Sequence, residues 1–284
     1  MIIFISDGRL GNQLFQYAFL RTIAKKNEKI ITISMDIFKK YFEVNNHNFK
    51  NMKLGKYVLF FVRKILRPYF LMTLVKLRFI GYIKQDRNEI SALPGFKKKL
   101  GLLPIIFVET DFFQSESFFE KDKLDFGIKQ EYFEKAQKFL EQIPKVYTNI
   151  FVHIRRTDYL SESYLGEKGI NLPKNYYEKA IKEIAKGIQN PFFIFLSDDP
   201  EFVECCFPYI QNKIISKNDA GTDLAIMSLC EYGIVSNSSF AWWGAYLMKC
   251  RKRVIFPKYW YGWKQKIQSH IGIYPKWADV IEVE

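Results

Sequence analysis

The sequence predicts an α/β protein built from two successive units, each with a parallel β-sheet covered by helices on both faces. Short runs of β-branched and aromatic residues alternate with amphipathic runs of helical length in both halves of the chain. Such alternation is typical of parallel sheets, because their strands need long connections. At 284 residues the chain is long enough for two compact domains. We place the boundary at Pro144, between units 1–143 and 144–284.

The first unit opens with a strand–helix–strand pattern. The loop after the first strand contains Gly8 and Gly11 but not the three-glycine dinucleotide fingerprint, so no nicotinamide site is predicted. Such a turn before a helix either supplies a positive φ angle or exposes backbone N–H groups to an anion, and both interpretations remain open. The predicted elements are a strand over 1–6, a helix over 13–26 and a strand over 29–34.

Most of the net charge of +13 lies in one segment. Residues 50–100 contain 13 Lys or Arg and two acidic residues, within a run of aliphatic and aromatic residues. The charges recur too often for a membrane span, and Pro68 divides the run into two predicted amphipathic helices. A basic, aromatic amphipathic surface is typical of proteins that lie on anionic lipid headgroups. The other interpretation is a solvated helix face packed on the domain.

The alternation continues to the end of the chain. Residues 109–116 form a polar and aromatic stretch of the type that lines carbohydrate clefts, and Asp223 is predicted to cap the helix that follows it. Strands are predicted over 105–108, 146–154, 191–196, 233–235 and 253–256. Helices are predicted over 130–142, 174–186, 201–206 and 224–230, with a last one carrying Trp242 and Trp243.

Polar clusters follow three predicted strands of the second unit, at His153–Asp158, Ser197–Asp199 and Ser236–Ser239. Parallel strands end at one edge of a sheet, which is where α/β proteins bind ligands. Arg155 and Arg156 offer planar guanidinium groups that match a phosphate, and two of them suggest a diphosphate. Asp158 would pair with one guanidinium and hold it in place. The alternative is an ion-pair network that only closes a strand end.

Cysteine spacing and the first residues bear on the compartment. The four cysteines lack zinc-site spacing and form no dense disulfide framework, so we expect them to be reduced. Residues 1–6 are apolar but too short for a secretory signal. We therefore expect the protein to stay in the cytoplasm.

Four motifs resemble those of glycosyltransferase family 11, the α-1,2-fucosyltransferases that use GDP-L-fucose, here of the bacterial type. They are Gly8–Ala18 (GRLGNQLFQYA), Phe113–Glu116 (FQSE), His153-x-Arg155-Arg156-x-Asp158, and Ser236–Gly244 (SNSSFAWWG). The resemblance spans most of the chain. Arg9 and Ala241 depart from the usual glycine and serine, and Arg9 leaves the acceptor class open.

The resemblance implies a GT-B fold of two facing Rossmann-like domains, with the donor held mainly by the C-terminal one. It implies an inverting transfer of L-fucose from GDP-β-L-fucose to a galactoside hydroxyl, forming an α-1,2 linkage, with no metal or other cofactor. The expected setting is the assembly of a surface polysaccharide of the O-antigen type. The expected partners are GDP-fucose and a galactose-terminated oligosaccharide, with no nucleic acid.

The resemblance also assigns roles to residues. Arg156 would clamp the diphosphate with Arg155 in support, and Asp198 would accept hydrogen bonds from guanine. The implied catalytic residues are Arg156, Arg155, His153, Asp158 and Asn12. The implied donor-binding residues are Gly11, Asn12, Gln13, His153, Arg156, Asp198, Asn237, Ser238, Ser239 and Phe240. The implied acceptor-binding residues are Arg9, Asp111, Gln114 and Ser115.

Other interpretations stay open at this point. His153, Asp158 and Asp111 are all candidate general bases, and His153 is equally compatible with a packed strand residue. Asp198 and Asp199 are also compatible with the metal-binding motif of a GT-A transferase. The basic segment by itself is compatible with a module that binds nucleic acid or membrane. If the acceptor is lipid-linked, that segment would bring the enzyme to the inner face of the plasma membrane, a hypothesis that rests on where the charge lies.

Overall fold

A computed structural model describes residues 1–86 and 94–284, which form two compact units. One unit contains residues 1–127 and 271–273, and the other contains 128–270 and 274–284. This boundary precedes the one expected at Pro144, because the helix Gln130–Leu140 packs on the helix Ala220–Leu229 of the second unit. Each unit has a six-stranded, largely parallel sheet, as predicted. Residues 87–93 of the basic segment lie outside the described residues.

The first unit builds its sheet in the order β4-β2-β1-β7-β5-β6. The strands to residue 128 are β1 (Ile2–Ile5), β2 (Ile30–Ile33), β3 (Phe42–Val44), β4 (Phe49–Met52), β5 (Gly81–Asp86), β6 (Gly95–Lys99), β7 (Ile106–Val108) and β8 (Phe126–Ile128). The helices are α1 (Leu10–Ile23), α2 (Asp36–Tyr41), α3 (Lys56–Phe61) and α4 (Met72–Lys76). The predicted opening pattern is confirmed by β1, α1 and β2.

The order of these strands reverses between β1 and β7. The chain moves outward from β1 through β2 to β4, crosses to β5 and β6, and returns to place β7 beside β1. All pairs are parallel except β5 with β6. Such a switch point leaves a crevice at the carboxyl ends of the two central strands. The loops after β1 and β7 therefore meet at one place.

The prediction that Pro68 separates two helices is wrong. Residues Val62–Leu71 form a π-helical segment that joins α3 to α4 without a break. Pro68 lacks an N–H donor and would clash with a carbonyl in a tighter α-helical turn. The wider π turn, in which the N–H of Met72 reaches the carbonyl of Arg67, accommodates it. The basic segment thus contains one helical stretch, from Lys56 to Lys76.

The second unit has the sheet order β13-β12-β9-β14-β15-β16, with all pairs parallel. Its strands are β9 (Thr148–Ile154), β10 (Ser163–Tyr164), β11 (Glu167–Lys168), β12 (Pro191–Ser197), β13 (Lys213–Ser216), β14 (Tyr232–Ile234), β15 (Arg253–Pro257) and β16 (Asp279–Ile281). Its helices are α5 (Gln130–Leu140), α6 (Lys174–Ala185), α7 (Pro200–Cys206), α8 (Ala220–Leu229) and α9 (Ser239–Tyr246). Here the order reverses between β9 and β14.

One helix start differs from the prediction. Asp223 was expected to cap α8, but the helix begins earlier and Asp219 is the cap, since its carboxylate accepts a hydrogen bond from the Thr222 N–H at 3.0 Å. An aspartate that precedes an apolar helix by one residue looks the same in sequence whether it lies before the first turn or inside it. Asp223 therefore lies within the first turn of α8.

The described residues also bear on membrane-spanning helices and on the state of the cysteines. Within 1–86 and 94–284, no helix combines the length and the apolar character needed to cross a membrane. The four cysteines all fall in these ranges and are free thiols in this structure.

Candidate active site

The three polar clusters of the second unit lie together at one edge of its sheet. Strand β9 is flanked by β12 on one side and β14 on the other, with Ile154 beside Ser197 and Val152 beside Ile234. Because all three strands are parallel, the residues that follow them emerge at the same edge. Their side chains are in direct contact, as described below. The expectation that these clusters converge is confirmed.

Arg156 is held at this edge with part of its guanidinium group available. Its Nε lies 2.9 Å from Oδ2 of Asp199, and the guanidinium carbon lies 3.8 Å from the centre of the Phe202 ring. Asp199 is fixed in turn because its other oxygen caps α7 at the N–H of Phe202. Among the residues described, Nη1 and Nη2 of Arg156 have no hydrogen-bond partner. A rigid guanidinium with two donating nitrogens is suited to a phosphate.

Arg155 is instead bound by two carboxylates. Its Nη2 lies 2.6 Å from Oδ1 of Asp158, and its Nη1 lies 3.0 Å from Oδ2 of Asp198. Its guanidinium also lies 5.5 Å from the centre of the Tyr159 ring. The expected pairing of Asp158 with one of the arginines is therefore confirmed, and the partner is Arg155. Arg155 is placed to support the site rather than to supply its main anion contact.

Asp198 connects the β12 and β9 ends. Its Oδ1 accepts a hydrogen bond from the Arg156 N–H at 2.8 Å, and its Oδ2 accepts from the Thr157 N–H at 3.2 Å and from the Thr157 hydroxyl. With the Arg155 contact, both oxygens already have donors from the chain. The carboxylate fixes the backbone that carries both arginines. Its predicted role with guanine remains a prediction, and this geometry gives it little support.

His153 is a buried residue that joins β9 to the loop after β14. It is 6% exposed, and its Nδ1 lies 2.8 Å from the Ser236 hydroxyl. Burial lowers the pKa of His153 to about 4, against a smaller opposing effect of Asp198. The ring is therefore neutral at pH 7, and its Nδ1 serves a structural contact. This geometry favours the packed-residue interpretation over a general base.

The residues after β14 lead directly into a helix N-terminus. Ser238 precedes α9, and its side chain makes no capping hydrogen bond. Asn237 anchors the loop, since its side-chain amide donates to the carbonyl of Ile170 at 2.7 Å and its own carbonyl accepts from the Tyr159 hydroxyl at 3.3 Å. Phe240 lies 5.5 Å from the His153 ring. A helix N-terminus next to Arg156 along the same sheet edge favours negative charge, so this is a place for an anion.

Asp223 is a candidate that the sequence analysis missed. The carboxylate accepts a hydrogen bond from the Ser216 hydroxyl at 2.5 Å, and Ser216 ends β13, beside Leu196 of β12. Burial raises the pKa of Asp223 to about 7, which the neighbouring Asp219 reinforces. A carboxylate held in an unfavourable environment at a ligand-binding edge is a functional candidate. In sequence it resembles a helix cap, so only the tertiary contacts identify it.

In the first unit, two glutamines of α1 fix the loop after β1. The Gln16 amide nitrogen donates to the carbonyls of Asp7 and Asp111, both at 3.0 Å, which ties the loops after β1 and β7 together. The Gln13 amide nitrogen donates to Gly8, and its oxygen accepts from the Phe38 N–H at 2.9 Å. Gln13 is thus buried in structural contacts, and its predicted donor-binding role remains a prediction.

The glycine turn proves to be a positive-φ turn at Gly8. Its φ angle is +79°, and an added Cβ would lie 2.5 Å from Nδ2 of Asn12, so another residue would be strained and would displace Asn12. Gly11 is instead a buried residue of α1. The turn therefore sets the position of Asn12, which agrees with one of the two open interpretations.

The predicted acceptor residues separate into two groups. Oδ1 of Asn12 accepts a hydrogen bond from the Gln114 amide at 2.7 Å, so Asn12, Gln114 and the partly exposed Asp111 lie at the switch point of this sheet. Arg9 is exposed just before α1. Ser115 is 2% exposed and accepts from the Ser117 N–H at 3.1 Å, which makes it the cap of a short turn. Of the predicted acceptor residues, Arg9 and Asp111 are thus accessible, whereas Gln114 and Ser115 are buried.

Comparison with known families decides the classification. A model of the family described as "Glycosyl transferase family 11" matches residues 1–278, nearly the whole chain. The chain belongs to glycosyl transferase family 11. This confirms the resemblance drawn from the four motifs, and it makes the protein a glycosyltransferase.

Individual relatives match over different extents. An O-antigen biosynthesis glycosyltransferase, WbnK, of Escherichia coli is 33% identical over 120 residues, which is 40% of this chain and 40% of that protein. An alpha-1,2-colitosyltransferase of Escherichia coli is 27% identical over 299 residues, covering 96% of each chain. The galactoside 2-alpha-L-fucosyltransferase SEC1 of Bos taurus is 22% identical over 261 residues, covering 85% of this chain and 63% of that protein.

A solved structure supports the fold. The fucosyltransferase NodZ from Bradyrhizobium superposes with a TM-score of 0.52 at 10% identity, covering 87% of this chain and 92% of NodZ. At that identity the likeness concerns the fold alone. The predicted α/β fold of the GT-B class is confirmed for this family 11 chain.

Proposed function

We propose that this protein transfers L-fucose from GDP-β-L-fucose to a galactoside hydroxyl with inversion, forming an α-1,2 linkage. The observation that carries the proposal is Arg156, whose guanidinium is locked by Asp199 and Phe202 while its two terminal nitrogens face no partner among the described residues. A family 11 member needs such a group, because a nucleotide sugar releases a diphosphate. The names of the relatives supply the linkage and the sugar class.

The chemistry requires stabilisation of the leaving group above all. As the bond between fucose C1 and the β-phosphate oxygen breaks, the sugar becomes cation-like and negative charge grows on GDP. Arg156 donates to that charge, and the N–H groups at the start of α9 add to it, with Ser238 and Ser239 as hydroxyl donors. Arg155 stays bound to Asp158 and Asp198 and keeps the strand end in place. The acceptor hydroxyl then bonds to C1 and releases its proton.

The guanine base presents two adjacent N–H donors, which a carboxylate can accept. Asp198 already accepts several protein donors, whereas the Asp223 carboxylate has a single one, Ser216, within the described residues. Asp223 lies at the same sheet edge, two strands from β9. We therefore assign guanine recognition to Asp223 in preference to Asp198. The raised pKa of Asp223 would fall again once it accepts the two N–H groups.

The reaction also needs a base that accepts the proton of the galactoside hydroxyl. His153 is buried and Asp158 is committed to Arg155, so neither is well placed to take a proton. Asp111 lies at the switch point of the first unit beside Asn12 and Gln114, and its side chain is partly exposed. We propose that these three residues bind the acceptor, with Asp111 as the base.

A second donor deserves testing because the colitosyltransferase relative matches along 96% of both chains. Colitose is fucose without the 3-hydroxyl, so both donors share the GDP clamp and differ at one position of the sugar. WbnK carries an O-antigen biosynthesis name, which supports a surface-polysaccharide acceptor.

The test combines nucleotide binding with transfer. Thermal shifts with GDP, UDP, ADP and CMP are measured first, and then transfer to a β-galactoside is followed by mass spectrometry with GDP-fucose and GDP-colitose in turn. A response to GDP alone and transfer from GDP-fucose support the proposal. Transfer from GDP-colitose alone replaces the donor, and a UDP response rejects the nucleotide assignment.

The same assay decides the metal question. Asp198 and Asp199 are both engaged with arginines, which disfavours their use as a metal-binding pair. Activity is therefore expected to persist in excess EDTA. Loss of activity in EDTA, restored by a divalent cation, would instead favour the GT-A type of chemistry.

A further inference from the structure

The helical stretch Lys56–Lys76 presents an apolar outer face that no described residue covers. Its inner face packs on the first sheet through residues such as Val62, Leu66 and Val75. The outer face exposes large side chains, of which Tyr57 is 87% exposed. The other exposed apolar residues of the stretch are Val58, Phe60, Phe61, Ile65, Tyr69 and Phe70. Exposed aromatic and aliphatic patches of this extent mark interaction sites.

A second segment extends this face. The N–H groups of Leu102 and Leu103 donate to the carbonyls of Arg78 and Phe79, both at 2.8 Å, so residues 100–103 lie against residues 77–79. Leu102 is 80% exposed and Leu100 is 76% exposed. Leu77, Phe79 and Leu103 are exposed beside them. We call residues 56–79 and 96–103 together the basic apolar surface.

The cations of the basic apolar surface differ in whether they form ion pairs. The cations nearest the sheet are paired, Arg63 with Asp7, Arg67 with Glu109 and Lys97 with Asp86. The cations on its outer side form no ion pair within the ranges 1–86 and 94–284. These are Lys56, Lys64, Lys76, Arg78, Lys98 and Lys99. The surface therefore presents uncompensated positive charge between apolar side chains.

A pocket of about 640 Å³ opens in this surface between α4 and β6. Its apolar lining includes Met72, Val75 and Leu100, and its charged lining consists of Lys76, Arg78 and Lys99. Three cations beside an apolar floor complement a phosphate diester that carries a hydrocarbon chain. The pocket lies on the first unit, and its residues have no part in the proposed transfer.

We propose that the basic apolar surface docks onto an anionic phospholipid bilayer and that the pocket receives a lipid phosphate. The aromatic and leucine side chains enter the boundary between headgroups and acyl chains, while the lysines and Arg78 contact headgroup phosphates. This goes beyond the proposed transfer reaction and does not depend on the donor.

The composition of the surface argues for a bilayer over two other partners. Nucleic acid would satisfy the cations but would leave Leu77, Leu100 and Leu102 in water, whereas a bilayer buries them. A second copy of the chain would bring the same unpaired cations together, and like charges repel. An anionic membrane satisfies both features at once.

The test is sedimentation with lipid vesicles. The full chain is mixed with vesicles of phosphatidylcholine alone or of an equal mixture with phosphatidylglycerol, at low and at high salt. Binding to the anionic vesicles only, weakened by salt, is expected. The variant K76Q/R78Q/K99Q removes the pocket cations, and since each contributes about fivefold, affinity should fall about 100-fold. The variant L77Q/L102Q removes apolar contacts and should also bind more weakly.

Matched controls keep the outcome interpretable. K26Q/K29Q/K121Q removes the same charge from exposed lysines of the same unit outside this surface, and it should change affinity far less. All variants alter exposed or pocket-lining side chains, and unchanged melting temperatures verify their folding. Equal binding by K76Q/R78Q/K99Q and this control overturns the proposal. So does an absence of vesicle binding, whether accompanied by an RNA gel shift at physiological salt or by a dimer that L77Q/L102Q dissociates.

Discussion

Replacing Arg156 with alanine should strongly weaken nucleotide binding and leave the second unit folded. The side chain contributes an ion pair with Asp199 at 2.9 Å and a stacking contact with Phe202 at 3.8 Å. Both partners are partly exposed, so their loss should cost about 1 kcal/mol of unfolding free energy. Asp199 still caps α7 in the variant, because that hydrogen bond uses its other oxygen. The melting temperature should fall by only about 2–4 °C.

The effect on ligand binding should be much larger. Charge-assisted hydrogen bonds to a phosphate contribute about 1.5–3 kcal/mol each, so losing the guanidinium should weaken GDP binding about 100-fold. With GDP at about 100 times the wild-type Kd, the ligand stabilises the wild type by about 2.7 kcal/mol and the variant by about 0.4 kcal/mol. Transfer should slow by about 100-fold to 1,000-fold, as it does when one donor to a developing anion is removed.

The assay is a thermal shift titration with GDP, followed by initial rates with the donor. Arg253→Ala is the matched control, because Arg253 pairs with Asp279 in the same unit but begins β15, at the opposite edge of the sheet. That variant should keep its GDP response. If Arg156→Ala retains the wild-type GDP shift and turnover, the diphosphate clamp assigned here is wrong. If both variants lose the response equally, the effect is one of folding.

Three further substitutions probe other groups. Asp223 has a pKa of about 7 against an ordinary 3.8, so its ionisation increasingly favours the unfolded chain as pH rises from 4 to 7. Asp223→Asn should therefore raise the free energy of unfolding, measured by urea denaturation, by up to about 4 kcal/mol at pH 8 but not at pH 4. His153 has a pKa of about 4 against 6.5, so the unfolded chain takes up the proton first; between pH 7 and 5 the wild type should lose about 2 kcal/mol more than His153→Gln. Equal slopes would refute the buried neutral ring. Asp198→Asn removes an acceptor for the backbone of both arginines, and kcat/KM should drop at least about tenfold, while exposed Asp122→Asn should match the wild type.

Local patterns were sufficient for much of the fold. Strands such as β1 and β12 are nearly continuous apolar runs, since a parallel sheet is buried on both faces, and their bounds follow closely from the sequence. The antiparallel β6 was not predicted, because an exposed edge strand of lysines lacks that apolar signal. The π-helical segment was not predicted either, because Pro68 normally ends a helix.

The candidate site likewise has one part that the local sequence could predict and one part that it could not. The pairing of Arg155 with Asp158 spans three residues of one loop, so the sequence could predict it. Which arginine stays available was decided by Asp198 and Asp199, which arrive from another strand. These two aspartates lie more than 40 residues from the arginines along the chain, so the local sequence pattern does not predict the contacts.

By itself, the sequence determined the alternating α/β architecture, the family and the concentration of polar residues at strand ends, because each of these depends on residues close together in the chain. Only the tertiary structure decided that His153 is a neutral, buried ring in hydrogen-bond contact with Ser236. It also decided that Asp223 is a carboxylate whose pKa is raised by burial, and not a helix cap. Both outcomes depend on burial, and burial is set by strands and helices that are distant in sequence and adjacent in the folded sheet.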